Sequence, residues 1–439
     1  MKSSSGKRQA FRAIHSSSLI RNSGFLLVST TTTSGLGYLY WLLAARTYAP
    51  APIGLASALI SLATLISFMG GLGVGSTNVQ ILPRLRHLNN QWNTFFTASL
   101  ALPILATTVL AAVGGGILST TSHFRVLRSP AVFSAFTVCA AATTAALSMD
   151  ACFISLRRSD HQFVRNTIFA IGKLPLLAVP LLVTKRPTTF DLLLSWDLAL
   201  VVSLIVSFAM LLRRSRPNFA LTWKGGAEAF LAQGRSIVGY QLETLGGMFP
   251  SYLIPPLLVA IVGPKPAAVY YFSWAIGSFL FTVSSSAASA LFAEGTNLDE
   301  LRSHTRQALR VSTFVLIPLA AVAAIFAQPI LSLFGANYAR QGGTLVRLFV
   351  LASIPDGITN IYVATLLIQK RVREAALLNC ATGTLAIVGV YVLVRPLGLD
   401  GAGLSWLLAQ SVGAIIVVRP LWRIVTRSDE QPAVDLAED

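Results

Sequence analysis

Three ionisable residues sit inside otherwise apolar stretches of this chain: Asp356, Glu243 and Lys173. Each costs about 2.5–3.5 kcal/mol at the centre of a membrane helix, so each needs a reason to be there. Asp356 is flanked by Pro355 and Gly357, which can loosen a helix and free backbone carbonyls at the same depth. A carboxylate in that setting can couple a proton or Na+ to a conformational change, or act as a polar hinge. Glu243 reads the same way. Lys173 can offer an ammonium to an anionic substrate. The plainer readings are a carboxylate satisfied by a neighbouring helix for packing alone, and a lysine that snorkels to the headgroups. Asp150, Asp197 and Arg347 lie nearer the ends of their apolar runs, and there the packing reading is preferred.

Other chemistry is excluded by type or spacing. The histidines (His15, His87, His123, His161, His304) fall in terminal or loop segments without ligand spacing, so no metal site is indicated. Cys139, Cys152 and Cys380 have neither zinc nor disulfide-framework spacing and act as small apolar residues. The run Gly71-Leu72-Gly73-Val74-Gly75 resembles the start of a dinucleotide loop, but it follows no strand; close helix packing explains it better. Serine and threonine runs such as Ser284–Ser286 can bond their own helix carbonyls or line a wet cavity. No nucleophile–base constellation can be assembled. The sequence therefore indicates no enzyme, no cofactor and no metal.

The elements that position these residues are long apolar segments. Of 439 residues, 54% are hydrophobic and 12% charged, against about 25% charged in a soluble domain. Twelve runs are long enough for the roughly 20-residue bilayer span: 23–45, 53–81, 94–118, 131–155, 167–184, 190–212, 236–261, 268–292, 310–333, 344–368, 375–394 and 401–419. None alternates with the period of two that a barrel strand requires. The fold class is thus an all-α polytopic membrane protein with about 12 transmembrane helices in two six-helix lobes. A net charge of +17 could suggest nucleic acid, but its distribution argues otherwise. With a cytoplasmic N-terminus, 24 of the 34 Lys and Arg fall on the inner side and 9 on the outer, which is the positive-inside pattern. Nucleic acid is excluded as a partner, and membrane lipids are expected. The basic start followed by an apolar run exceeds a signal-peptide core and reads as a retained first span.

The organisation follows: 1–22 as a cytoplasmic N-terminus, 23–212 as an N-lobe, 213–235 as a cytoplasmic linker, 236–423 as a C-lobe and 424–439 as an acidic cytoplasmic tail. The setting is the inner membrane, with both termini cytoplasmic. An offset of 214 residues places Pro50-Ala51-Pro52 over Pro264-Lys265-Pro266, and Arg157 over Arg371, while Asn166 falls one place from Asn379. Lobes of six spans each make these parallel repeats, and transporters so built place their substrate site between lobes.

Between the first two spans, Ala45-Arg46-Thr47-Tyr48-Ala49-Pro50 followed by Ile53-Gly54 resembles an Ala-Arg-x-Leu-Gly-Pro…Gly signature, with Tyr48-Ala49 standing where that pattern has Leu-Gly. Gly70-Gly71-Leu72-Gly73, Tyr270-Tyr271 and Gln369-Lys370-Arg371 extend the likeness. Together they resemble Wzx-type oligosaccharide flippases of the multidrug/oligosaccharidyl-lipid/polysaccharide exporter superfamily. The resemblance implies a V-shaped pair of lobes working by alternating access, a polyprenyl-diphosphate-linked oligosaccharide as cargo, and a cationic cavity to which Arg46 and Lys173 contribute. The alternatives are a cation-coupled multidrug exporter of the same superfamily and, from another class, a membrane glycan polymerase or ligase. The short outer segments leave the last little room for catalytic groups.

Overall fold

The computed structural model describes residues 18–183, 187–294 and 301–426, with side chains described except at 18–31, 183, 234–247, 287, 289–290 and 292–294. Among the described residues the chain is helical and has no strand. The twelve expected spans correspond to twelve long helices: α1 (Ser18–Thr47), α2 (Pro50–Gly70), α3 (Asn89–Ser119), α4 (Pro130–Ser155), α5 (Ser159–Val183), α6 (Thr189–Val206), α7 (Gly234–Val262), α8 (Pro264–Glu294), α9 (Leu301–Ile325), α10 (Ala336–Ile368), α11 (Val372–Leu397) and α12 (Asp400–Thr426). Ten of them are long and apolar enough over their described residues to cross a membrane, and α7 adds an apolar stretch at Met248–Val262. Their outer faces carry large apolar side chains such as Leu182, 87% exposed, and Phe314, 81% exposed. Water would not tolerate so many; lipid does. The chain is a multi-pass membrane protein. The regions 1–22 and 424–439 lie largely outside the described residues.

The chain divides into two compact units, Met1–Ala268 and Val269–Asp439. In the first, α4 packs against α2, α3 and α6, while α5 lies between α1 and α6. Helix α7, which the sequence reading places in the second lobe, packs along α2 in this first unit. In the second, α12 packs on α10 and α11, and α9 lies against α10.

Lipid supplies no hydrophobic drive between helices, so close backbone approach takes its place. Gly54 is the extreme case: a Cβ there would stand 1.8 Å from the Pro264 carbonyl oxygen. This gives the signature glycine a physical role, since the first turn of α2 lies directly on the first turn of α8. Pro50 and Pro264 each open their helix, where a missing N–H costs nothing.

Span two differs from its expected course. The apolar run 53–81 is broken after Gly70, because Leu72 and Gly73 adopt left-handed backbone at φ 49° and 61°. A separate short helix, Val74–Ile81, follows. Close packing against another helix falls on the preceding Gly70, where Thr107 Cα of α3 lies 2.7 Å from a virtual Cβ, and not on the expected run: Gly71 meets only carbonyls of its own helix and Gly75 has nothing within 4 Å. Gly73 instead makes a turn.

The internal repeat appears in turn geometry. Arg157, after α4, and Lys370, after α10, are both left-handed at φ 58° and 62°. In each case the next N–H reaches back five residues, Arg158 to the Phe153 carbonyl and Arg371 to the Leu366 carbonyl, both at 2.8 Å. These are matching Schellman stops. They align at an offset of 213, one less than the proline pairs, which also brings Asn166 onto Asn379.

The segment 213–235 is folded. Arg216 lies 4.5 Å over the Trp92 ring and donates to the Arg86 carbonyl at 2.8 Å. The Thr222 N–H donates to Thr97 Oγ1 at 3.1 Å, and Phe230 is buried against Phe95. The segment thus runs along the end of α3.

Candidate functional site

In the first unit, Lys173 of α5 is 3% exposed and enclosed by aromatic rings. Its Nζ lies 4.5 Å from the Trp196 ring centroid, 4.9 Å from Phe169 and 5.1 Å from Tyr40. Three helices build this box. Tyr40 comes from α1 and is fixed by a 2.8 Å hydrogen bond between its hydroxyl and Ser195 of α6. Trp196 stands on α6, and Phe169 one turn before Lys173 on α5, edge-on to Trp196 at 5.1 Å. Gly37 of α1 faces the ammonium without a side chain. No carboxylate pairs with Lys173 among the described residues. An ammonium over several rings gains up to about 2 kcal/mol or more once desolvated.

Trp196 and Phe169 also form one wall of a cavity of about 190 Å³, which Thr64, Thr143, Asp150 and Arg165 line as well. Arg165 forks onto Asp150, Nε to Oδ1 at 2.9 Å and a terminal nitrogen to Oδ2 at 2.7 Å, and donates to Asn166 Oδ1 at 2.5 Å. Phe169 and Trp196 thus belong both to the Lys173 box and to the lining of the cavity that Arg165 shares. Removing one partner of a buried pair costs about 3–5 kcal/mol, because the other charge is left uncompensated. Asp150→Ala is expected to lower the melting temperature in detergent sharply, and adding Arg165→Leu to recover part of it. A single mutant that melts like the wild type would show that the pair is not buried in the folded protein.

Asp197, next to Trp196, is 4% exposed and neither carboxylate oxygen has a hydrogen-bond partner. The buried Cys139 thiol of α4 faces it. Sequence spacing favoured packing for Asp150 and Asp197, and did not single out Arg165. The structure puts all three inside the first unit, Asp150 and Arg165 on the cavity that Phe169 and Trp196 also line, and Asp197 beside Trp196 in the chain. No sequence signal separates them from ordinary span-end charges, since the distinction is which face of the helix they occupy.

Arg46 lies in the last turn of α1 and is exposed. It is nine residues beyond Gly37, about 13 Å along a helix at 1.5 Å per residue, so it stands apart from the Lys173 box. Glu243 belongs to α7, and its side chain lies outside the described residues.

In the second unit, Asp356 is buried in the middle of α10. Its Oδ2 accepts from Ser284 Oγ of α8 at 2.5 Å and from Asn360 Nδ2, one turn along, at 2.8 Å. Asn360 also donates to Ser284 at 3.1 Å. Pro355 leaves α10 continuous. The carboxylate is therefore held by donors rather than by a cation, in a cluster that can exchange those donors for a proton or a monovalent ion. Among the described residues no group of three His, Cys, Asp or Glu could hold a metal.

No protein-family model matches the sequence, and no curated protein matches it. Solved structures do. The chain is similar to the lipid II flippase MurJ in an inward closed conformation, with TM-score 0.71 and 12% identity over 91% of this chain and 89% of that one. It is also similar to an inward-facing multidrug resistance MATE-family transporter of the MOP superfamily, with TM-score 0.69 and 15% identity over 90% and 94%. A third likeness is to a MOP-superfamily transporter from Pyrococcus furiosus, at 0.59 and 13% over 93% and 96%. The protein has the fold of MOP-superfamily transporters.

Proposed function

We propose that the protein flips a polyprenyl-diphosphate-linked oligosaccharide from the cytoplasmic to the outer leaflet by alternating access, for export or assembly of a cell-surface polysaccharide. The observation that carries this reading is the buried ammonium of Lys173, which meets aromatic rings and no carboxylate among the described residues. A fixed interior cation suits an anionic cargo, and rings suit the apolar faces of sugars. The barrier is large: each hydroxyl taken unpaired into hydrocarbon costs about 4–8 kcal/mol. A polar interior removes that cost while the polyprenyl tail stays in lipid. A fold shared with a lipid II flippase supports this reading. Arg46 and Lys173 meet the diphosphate at different depths, Asp356 and Glu243 couple H+ or Na+, and the protein sits in the inner membrane with cytoplasmic termini.

Purified protein in vesicles tests this: polyprenyl-diphosphate glycan placed in one leaflet should become accessible to a glycan-modifying enzyme on the other side. Unchanged accessibility with and without protein would sink the reading. In the same vesicles, Asp356→Asn keeps the hydrogen-bond acceptor and is expected to leave folding unchanged. It should abolish the response to an imposed pH or Na+ gradient; a variant that still responds removes Asp356 from coupling.

A cation-coupled multidrug exporter is the second reading, and Asp197 favours it. A buried carboxylate with both oxygens unpartnered could take a cationic drug. Transport of a lipophilic cation that Asp197→Asn removes, without glycolipid movement, would select it.

A further inference from the structure

A separate cavity of the first unit, about 540 Å³, lies between the end of α6 and the extended chain that follows it. That volume is within the roughly 300–1,000 Å³ range of ligand clefts. Leu204, Ile205, Phe208, Ala209 and Leu221 line it, together with a single charged group, Arg213. Three observations converge there. The backbone at Ser207–Leu212, along the groove wall, is π-helical, a rare form that recurs at functional sites. Arg213 is exposed and has no acidic partner among the described residues. The neighbouring surface mixes exposed apolar groups, Met210 at 59%, Leu221 at 71% and Trp223 at 53%, with Arg214, Arg216 and Lys224. Tryptophan beside basic residues is the composition of a membrane–water boundary. On the positive-inside reading it is the cytoplasmic boundary, where anionic lipid is concentrated.

We propose that this groove binds one anionic phospholipid of the cytoplasmic leaflet. The Arg213 guanidinium takes the phosphate through its fork of donors, and the first part of one acyl chain lies along Ile205, Phe208 and Ala209. A lipid seated there joins α6 to the 216–231 segment, which is itself fixed on α3. It therefore fastens the connection between the two halves of the sequence and does not depend on the cargo.

Native mass spectrometry of the full-length protein, released from micelles doped with phosphatidylglycerol or phosphatidylcholine, tests this. One phosphatidylglycerol should be retained about fivefold more readily than phosphatidylcholine, the share expected of one basic residue near the surface. Arg213→Gln should erase the preference. Ala209→Trp should exclude both lipids, and Ala220→Trp, on the opposite wall, serves if the first variant does not fold. Equal retention of the two lipids by the wild type, or a preference that survives Arg213→Gln, would overturn the proposal. So would displacement of phosphatidylglycerol by an equal concentration of polyprenyl phosphate, which would make the groove a carrier-lipid site instead.

Discussion

Replacing Lys173 by glutamine should lower glycolipid flipping about tenfold to a hundredfold, the 1.5–3 kcal/mol of a hydrogen bond to a charged group, while the protein melts at the same temperature or higher. The two halves of that result have one cause. Lys173 is 3% exposed and no carboxylate among the described residues compensates it, so its ammonium is carried at a desolvation cost that the rings of Trp196, Phe169 and Tyr40 only partly offset. Glutamine fills a similar volume without the charge, and so relieves that cost. A residue kept for packing would lose stability and activity together. Here they are expected to move apart. Lys173→Arg tests geometry, since a planar guanidinium is not a compact ammonium; a box fitted at 4.5 to 5.1 Å should restore little. Flipping that falls only in proportion to folded protein would return Lys173 to a structural role.

Gly54→Ala should reduce folded protein several-fold. The added Cβ would lie 1.8 Å from the Pro264 carbonyl oxygen, 2.8 Å from its carbon and 3.1 Å from the Ala268 nitrogen. These are backbone atoms at the start of α8, so no side chain can swing away. The two helices must separate by on the order of 1–2 Å, and overpacking of this kind costs about 1–3 kcal/mol, occasionally more. In lipid, helices gain nothing from hydrophobic exclusion to compensate. Gly35→Ala is the control, because nothing lies within 4 Å of its virtual Cβ. Fluorescence-detected size-exclusion should show a reduced monodisperse peak for the first variant and an unchanged one for the second. Equal peaks would mean that α2 and α8 do not press together at Gly54.

The helices were legible because the bilayer admits few solutions: every apolar run long enough to cross had to be a helix. Where such a run is interrupted, length misleads. Span two looked continuous to residue 81, yet left-handed Leu72 and Gly73 end it, and apolarity carries no record of one residue's φ. Asp356 was legible as a charge in an apolar run. Its partner was half visible, since Ser284 lay in a serine run that could bond its own helix or face a polar site. Its hydroxyl stands within reach of both the Phe281 carbonyl, at 2.9 Å, and Asp356, at 2.5 Å, with one proton to share between them. The aromatic box was not legible. Tyr40, Phe169 and Trp196 look like ordinary lipid or core aromatics, and only the azimuths of α1, α5 and α6 bring them around one ammonium. The same holds for Arg165 and Asp150, fifteen residues apart on consecutive helices.

The most direct measurement is leaflet-resolved accumulation of polyprenyl-linked glycan in cells with and without the protein. The account predicts build-up on the cytoplasmic leaflet after deletion, reversed by the wild type and not by Lys173→Gln at equal abundance. An unchanged leaflet distribution after deletion would contradict it and bring drug efflux to the front.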